Sequence, residues 1–212
     1  QLSPGTYQVI VKDGNGCTDS TQVIISVKYP TVPTATLSGG GTVCAGSPLP
    51  NVAINFTGFG PYNFTLNNGS IQQSFSGVTQ NPLLLSNLAI GTYTLTNYSD
   101  AHCPGTISGS ASIVVNPNPQ GVISGGGFVC NGDKLPSIDI ALTGTPNFQI
   151  TYGRPNASDT TVLGISTLSY TIAPLVEGFY TVRTITDGNG CTVSNLNASL
   201  EVGFHLPPIV DA

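Results

Sequence analysis

The sequence predicts an all-β chain built from a sandwich-sized unit repeated in tandem. Three observations predict it. Apolar side chains recur at every second residue, the period of a half-buried strand and not of a helix. Turn residues break the chain into short runs: Gly and Pro fill 42 of 212 positions, well above the roughly 12% of average usage. And the chain resembles itself at an offset of 86 to 87 residues, the mark of a tandem array.

The self-similarity sets the domain boundaries. Pro33 to Gly46 (PTATLSGGGTVCAG) recurs as Pro119 to Gly132 (PQGVISGGGFVCNG). Leu88 to Leu95 (LAIGTYTL) recurs as Leu175 to Val182 (LVEGFYTV), and once more as Leu2 to Val9 (LSPGTYQV). Residues 1–30 are therefore expected to be the closing part of a truncated repeat. Residues 31–116 and 117–204 are two complete repeats, and 205–212 lead into a further one. Tyr29 to Pro33 and Asn116 to Pro119 read as short, Pro-containing, semi-rigid spacers. Gln1 to Pro4 opens with neither a basic region nor an apolar core, so the chain is expected to be mature or excerpted.

Within a repeat each segment alternates. Tyr7, Val9 and Val11 share one face of Gly5–Lys12, and Tyr93 and Leu95 share one face of Gly91–Tyr98. Val52–Thr57 and Ile138–Thr143 read the same way. Asp13-Gly-Asn-Gly16 and Asp187-Gly-Asn-Gly190 lie between alternating runs and are expected to be hairpin turns that need positive φ. Short strands with turns every 8–12 residues indicate a sandwich or barrel, and a unit of about 86 residues is close to the roughly 100 of an immunoglobulin-type sandwich. Leu-x-x-Gly-x-Tyr places Tyr7, Tyr93 and Tyr180 where a tyrosine corner opens the penultimate strand, its hydroxyl bonding backbone upstream.

The five cysteines keep the same register. Cys44 to Cys103 is 59 residues and Cys130 to Cys191 is 61, while Cys17 to Cys44 and Cys103 to Cys130 are both 27. Spacing admits either pairing, and each leaves one cysteine over. Chain direction favours pairing within repeats, Cys44 with Cys103 and Cys130 with Cys191, with Cys17 bonding outside the chain. After Cys103 an extended run of about 12 residues carries the backbone roughly 40 Å away. Disulfides place the protein in an oxidising, extracytoplasmic compartment.

A family resemblance rests on Gly5 to Cys17 (GTYQVIVKDGNGC), its counterpart Gly178 to Cys191, and the Ser-Gly-Gly-Gly-x-Val-Cys openings at Ser38 and Ser124. These segments resemble repeats of giant cell-surface adhesins of Bacteroidota, the gliding-motility adhesins and other cargo of type IX secretion among them. The chain departs from the pattern at Ser99 to Cys103, where the Asn-Gly turn is lost. The resemblance implies polycystic-kidney-disease-like or immunoglobulin-like domains in tandem, surface display and adhesion. It supplies no catalytic residues. It also implies candidate O-glycosylation at Ser20 (in Asp19-Ser-Thr21) and Thr160 (in Asp159-Thr-Thr161).

Motifs for other chemistry are incomplete. His102 and His205 are the two histidines, and neither has a triad setting. Gly164 to Leu168 lacks the last glycine of a nucleophile elbow. Gly127 to Lys134 approaches a phosphate loop, but Asp133 intervenes before the lysine and Leu135 replaces the hydroxyl, so a β-turn is expected. Zinc is disfavoured because no Cys-x-x-Cys pair exists. Asp13, Asn15, Asp187 and Asn189 are weak calcium candidates without a bidentate Glu at loop spacing. Lys12, Lys28 and Lys134 share no register that an isopeptide link would need. Six Asn-x-Ser/Thr sequons, at Asn55, Asn63, Asn68, Asn97, Asn156 and Asn197, follow from composition.

Five Lys and Arg and a net charge of −5 exclude a phosphate-tracking nucleic-acid binder, and no apolar run is long enough to insert in a membrane as a helix. Only 7% of residues are charged, whereas 25 are Thr and 20 are Ser. Such a surface resists salt screening but leaves strand edges without the lysines that discourage edge pairing. The expected protein is no enzyme and binds no cofactor. It is a structural or adhesive segment of an extracellular, cell-surface repeat protein, a stalk or filament whose partners are neighbouring repeats, identical subunits and surface glycans. Two alternatives stand beside it: a filament subunit completing its first domain by strand addition from a neighbour, and the accessory region of a secreted enzyme.

Overall fold

The computed structural model describes residues 2–26 and 31–206, and every regular element among them is a β-strand. Lys28, the first part of the expected spacer at Tyr29 and Pro30, and residues 207–212 lie outside the described residues. The chain divides into two compact units. Unit 1 gathers Gln1–Gly39, Asn51–Ser86 and Gly91–Ala111; unit 2 gathers Gly40–Pro50, Asn87–Ile90 and Ser112–Ala212. Residues 40–50 and 87–90, which the repeat arithmetic assigns to the first complete repeat, thus belong to unit 2.

Unit 1 opens with an antiparallel hairpin of β1 (Gly5–Lys12) and β2 (Thr18–Ile25), paired from Gly5↔Ile25 to Lys12↔Thr18. Val9, Val11, Val23 and Ile24 of this hairpin are exposed. Next come β3 (Thr34–Cys44), β4 (Val52–Phe56), β5 (Tyr62–Asn67), β6 (Gln72–Val78), β7 (Leu83–Leu85), β8 (Gly91–Ser99) and β9 (Thr106–Gly109). One layer pairs β4 with the first half of β3 and with β7, while β9 runs parallel to β3. The other pairs β5 with β6 and β8. Alternation turns Ala35 and Leu37 of β3 and Val52, Ile54 and Phe56 of β4 inward. They meet an aromatic cluster from the facing layer: the Phe56 ring lies 4.5 Å from Tyr62, 5.4 Å from Phe64 and 5.7 Å from Tyr98. Burial, reinforced by electrostatic interaction with Tyr62 and Asp100, pushes the Tyr98 phenol up to about 12, so it remains a donor, here to the Thr57 carbonyl at 2.8 Å.

Unit 2 takes β10 (Ala111–Asn116) from Ser112 on, then β11 (Gln120–Gly125), β12 (Gly127–Cys130), β13 (Ile138–Thr143), β14 (Phe148–Gly153), β15 (Thr160–Ile165), β16 (Ser169–Ile172), β17 (Gly178–Thr186) and β18 (Thr192–His205). Its sheets run β11-β13-β16 and β12-β18-β17-β14-β15, the two-layer order of an immunoglobulin-like sandwich. Ile138, Ile140 and Leu142 of β13 pack against Phe148, Ile150, Val182 and Ile185 to form the core.

The Ser-Gly-Gly-Gly openings mark where an edge strand changes sheets. Gly125 is the last residue of β11 to pair with β13, opposite Ile138, and Gly127 is the first of β12 to pair with β18, opposite Val202. The crossover requires positive φ at three successive residues, Gly125 (89°), Gly126 (71°) and Gly127 (107°). A Cβ on Gly125 would also stand 2.5 Å from the Ser137 carbonyl oxygen. Gly125→Ala is therefore expected to cost about 2 kcal/mol or more, read from urea melts, since both the left-handed backbone and the clash penalise it. Gly132→Ala is the milder control: its φ is also positive, at 104°, but nothing lies within 4 Å of the added Cβ.

Candidate functional site

An aspartate builds each of the turns that carry Cys17, Cys103 and Cys191. Asp13 Oδ1 accepts the N–H groups of Asn15 (3.0 Å) and Cys17 (2.8 Å). Asp187 Oδ1 accepts those of Asn189 (3.0 Å) and Cys191 (3.0 Å), and its Oδ2 accepts from Thr145 N–H (3.3 Å). Asp100 Oδ1 takes His102 N–H (2.8 Å) and Cys103 N–H (2.7 Å), and Oδ2 takes Phe59 N–H (3.0 Å). In each case the aspartate N–H donates back to the cysteine carbonyl. The first complete repeat thus keeps the turn without Asn-Gly: Asp100 does in a loop one residue shorter what Asp187 does in the longer one. The recurrence of Asp three or four residues before Cys17, Cys103 and Cys191 carries this signal, and at Asp100 it stands without the Asn-Gly that accompanies the other two.

Of the weak calcium candidates, Asp13 engages backbone donors through Oδ1 and Asp187 through both carboxylate oxygens. Among the described residues no three His, Cys, Asp or Glu side chains come together to hold a metal ion.

The backbone N–H groups of Phe59, His102 and Cys103, in that order, hold the Asp100 carboxyl below its ordinary 3.8. A depressed folded value means that the ionised form stabilises the fold above the unfolded value, and that this contribution fades as pH falls below about 4. Asp100→Asn, which turns a donor toward one of those N–H groups, is expected to lower the melting temperature at neutral pH by roughly 5 °C or more. It should also flatten the acid limb of the melting-temperature profile, which a pH series of thermal melts would read.

The expected tyrosine positions fall at matching places. Tyr7 Oη donates to the Ser3 carbonyl (2.7 Å) and Tyr180 Oη to the Val176 carbonyl (2.9 Å), each four residues upstream. Tyr93 is buried at the equivalent point of β8. Ser20 and Thr160 are both exposed. Ser20 accepts from the Gln8 amide (3.2 Å), and Thr160 follows Asp159, whose carboxylate pairs with Arg183 (2.6 Å).

The disulfide corrects the expectation. Cys44 bonds Cys191 across 147 residues, and Cys17, Cys103 and Cys130 are free thiols; the pairs Cys44–Cys103 and Cys130–Cys191 do not form. Chain direction accounts for the difference. The second half of β3 runs parallel to β10, with Asn116 opposite Cys44, so the same strand that carries the chain away from Cys103 delivers it beside Cys44. Ala45 N–H donates to Asn116 O (2.8 Å) and the Asn118 amide to Ala45 O (3.1 Å), fixing that arrival. The Asp187 turn then presents Cys191, fully buried, to Cys44, and both cysteines lie within unit 2.

Each histidine packs beside an aromatic ring. His102 meets the edge of Phe59 (5.5 Å) and His205 lies near Phe128 (5.7 Å). Gly127–Cys130 is strand β12, and Asp133 N–H closes a turn onto the Cys130 carbonyl (3.1 Å) where a phosphate loop would need open amides. A shallow cleft of about 250 Å³ in unit 2 is lined by Tyr152, Arg154, Ile172, Leu175, Val176 and Tyr180, with Arg154 over the Tyr180 ring at 5.9 Å. Its polar side chains are Arg154, the phenols of Tyr152 and Tyr180 and the hydroxyls of Ser158 and Thr160; no histidine or carboxylate stands among its lining residues.

No family model matches the chain. The nucleoporin pom152 of Schizosaccharomyces pombe is 28% identical over 215 residues, which takes in 88% of this chain; the chain spans 16% of that protein's length. An I-band fragment of titin aligns at TM-score 0.45 and 16% identity, over 97% of this chain and 75% of that one. The IG1 and IG2 domains of DIP-gamma align at TM-score 0.42 and 14% identity, over 84% and 98% respectively. The N-terminal four Ig domains of Dscam1 align at TM-score 0.37 and 14% identity, over 94% and 54%. By its own strand order, register and core, the chain is a tandem of immunoglobulin-like β-sandwiches.

Proposed function

We propose that this chain is a length of stalk or filament from an extracellular tandem-repeat adhesin displayed on a bacterial surface, of the gliding-motility kind secreted by the type IX route. The single observation that carries the reading is the Cys44–Cys191 bond inside a tandem of sandwiches. A cystine of this sort persists in an oxidising compartment. A hydroxyl-rich, nearly uncharged surface, with 45 Ser and Thr among 212 residues, supports it. The role is mechanical: strands and cystines bear load while neighbouring repeats or identical subunits extend the structure. Exposed Ser20 and Thr160 are the proposed attachment points for O-glycans.

A second reading, a filament subunit completed by strand addition, is favoured by the exposed Val9, Val11, Val23 and Ile24 of the first hairpin. Antibody against the chain, applied to intact source cells and followed by a reducing denaturing gel, tests both. Surface labelling with a band of hundreds of kilodaltons is expected for the stalk. A surface band near 21.7 kDa would replace it with the subunit reading. Labelling only after lysis would overturn both.

A further inference from the structure

We infer that the cystines of this array run one repeat out of step: the cysteine ending an opening strand bonds the cysteine of the Asp turn in the following repeat, and Cys130 and Cys103 are junction thiols awaiting such partners. The five cysteines form two classes by local structure. Cys44 and Cys130 end opening strands that run parallel to the closing strand of their own repeat, Cys44 opposite Asn116 and Cys130 opposite His205. Cys17, Cys103 and Cys191 each follow an aspartate whose Oδ1 accepts their N–H. The bond observed joins the opening class of one sequence repeat to the turn class of the next, 147 residues on.

Shifting that rule by one repeat accounts for every remaining cysteine. Cys130 requires a turn cysteine one repeat downstream, and Cys103 and Cys17 require opening cysteines one repeat upstream. These are the three free thiols, with Cys17 and Cys130 exposed and Cys103 half-buried. Pairing within repeats would have left Cys17 alone. The partner each thiol fits is therefore the opposite class of cysteine on another repeat of this kind, which a second copy of the chain carries.

The chemistry needs a disulfide oxidant. The Cys130 thiolate attacks one sulfur of oxidised glutathione, forming a mixed disulfide and expelling one glutathione thiolate, and the turn-cysteine thiolate then displaces the second. One cystine forms, one glutathione disulfide is reduced to two thiols, and those thiols take up the two protons lost by the cysteines.

This inference rests on the oxidising compartment of the proposed function, and the experiment separates the two. The 212-residue chain, folded in a glutathione redox buffer, is alkylated and digested without reduction, and monomer and covalent oligomer are mapped separately by mass spectrometry. In the monomer, a Cys44–Cys191 linked peptide with Cys17, Cys103 and Cys130 alkylated is expected. Linked Cys44–Cys103 and Cys130–Cys191 peptides would overturn the register. In the oligomer, Cys130 should be linked to Cys17 or Cys103, and the variant Cys130→Ser should lose those links while keeping Cys44–Cys191. Oligomers joined mainly through Cys130–Cys130, or none forming at all, would overturn the junction role. Protein isolated from source cells with all five cysteines as thiols would instead defeat the compartment reading.

Discussion

Reducing the Cys44–Cys191 bond is expected to remove roughly 5 kcal/mol of stability, the chain-entropy value for a loop of 147 residues. Most single domains hold only about 5–15 kcal/mol in total, so the loss is large on that scale. The bond acts mainly on the unfolded chain: it forbids the expanded conformations in which β3 and the last hairpin are far apart. Urea titrations of the oxidised protein, the protein with reductant, and the Cys44→Ala/Cys191→Ala double variant would measure it. The two bond-free forms should unfold at the same, lower midpoint and with a steeper dependence on urea, because their unfolded ensembles expose more surface. If the reduced protein unfolds where the oxidised one does, the bond contributes no stability and the entropic account fails.

Truncating Phe148 to alanine is expected to cost about 3–5 kcal/mol, the range for emptying a fully buried aromatic site. Phe148 is 0% exposed and begins β14, where Ile150 and Ile185, both equally inaccessible, surround it. The site has little room to collapse. Asn147, at positive φ, donates its N–H to the Ile165 carbonyl, and Phe148 itself pairs with Ile165, so the backbone on both sides is held. Phe64→Ala is the counterpart in unit 1, against a residue 2% exposed that stacks on Phe75 at 4.8 Å. Its cavity is bordered by more adaptable ring packing, which places it toward the lower end of the same range. Equilibrium denaturation followed by far-ultraviolet circular dichroism reads both; a loss below about 1 kcal/mol for Phe148→Ala would mean that this core relaxes freely.

Local pattern made much of this fold legible. The alternation in Val52–Phe56 and Ile138–Thr143 is the alternation of their burial, because strand periodicity is a property of the chain itself. The Gly-Gly-Gly openings were visible as a repeat, but their purpose was not. Changing sheets requires knowing which strand lies on either side, and only the pairings of Gly125 with β13 and Gly127 with β18 supply that. Asp100 was hidden by a single missing residue, since its turn is defined by which N–H groups reach the carboxylate and not by the Asn-Gly that accompanies the others. The cystine was illegible for a deeper reason. Spacings of 59, 61 and 27 weigh pairs near in sequence, whereas a bond forms between the ends that meet, and here the partner lies in the next repeat.

That bond also governs how far the molecule can reach. The 147-residue separation of Cys44 and Cys191 holds about 530 Å of contour, at roughly 3.6 Å per residue fully extended. While the cystine is closed, a pull on the two termini bypasses this slack, and even complete rupture of both sandwiches leaves it folded away behind one covalent short cut. Opening the bond would release it as extra tether length. A thiol-reducing environment would therefore change not only how firmly the chain is folded but how far apart it lets its two ends be drawn.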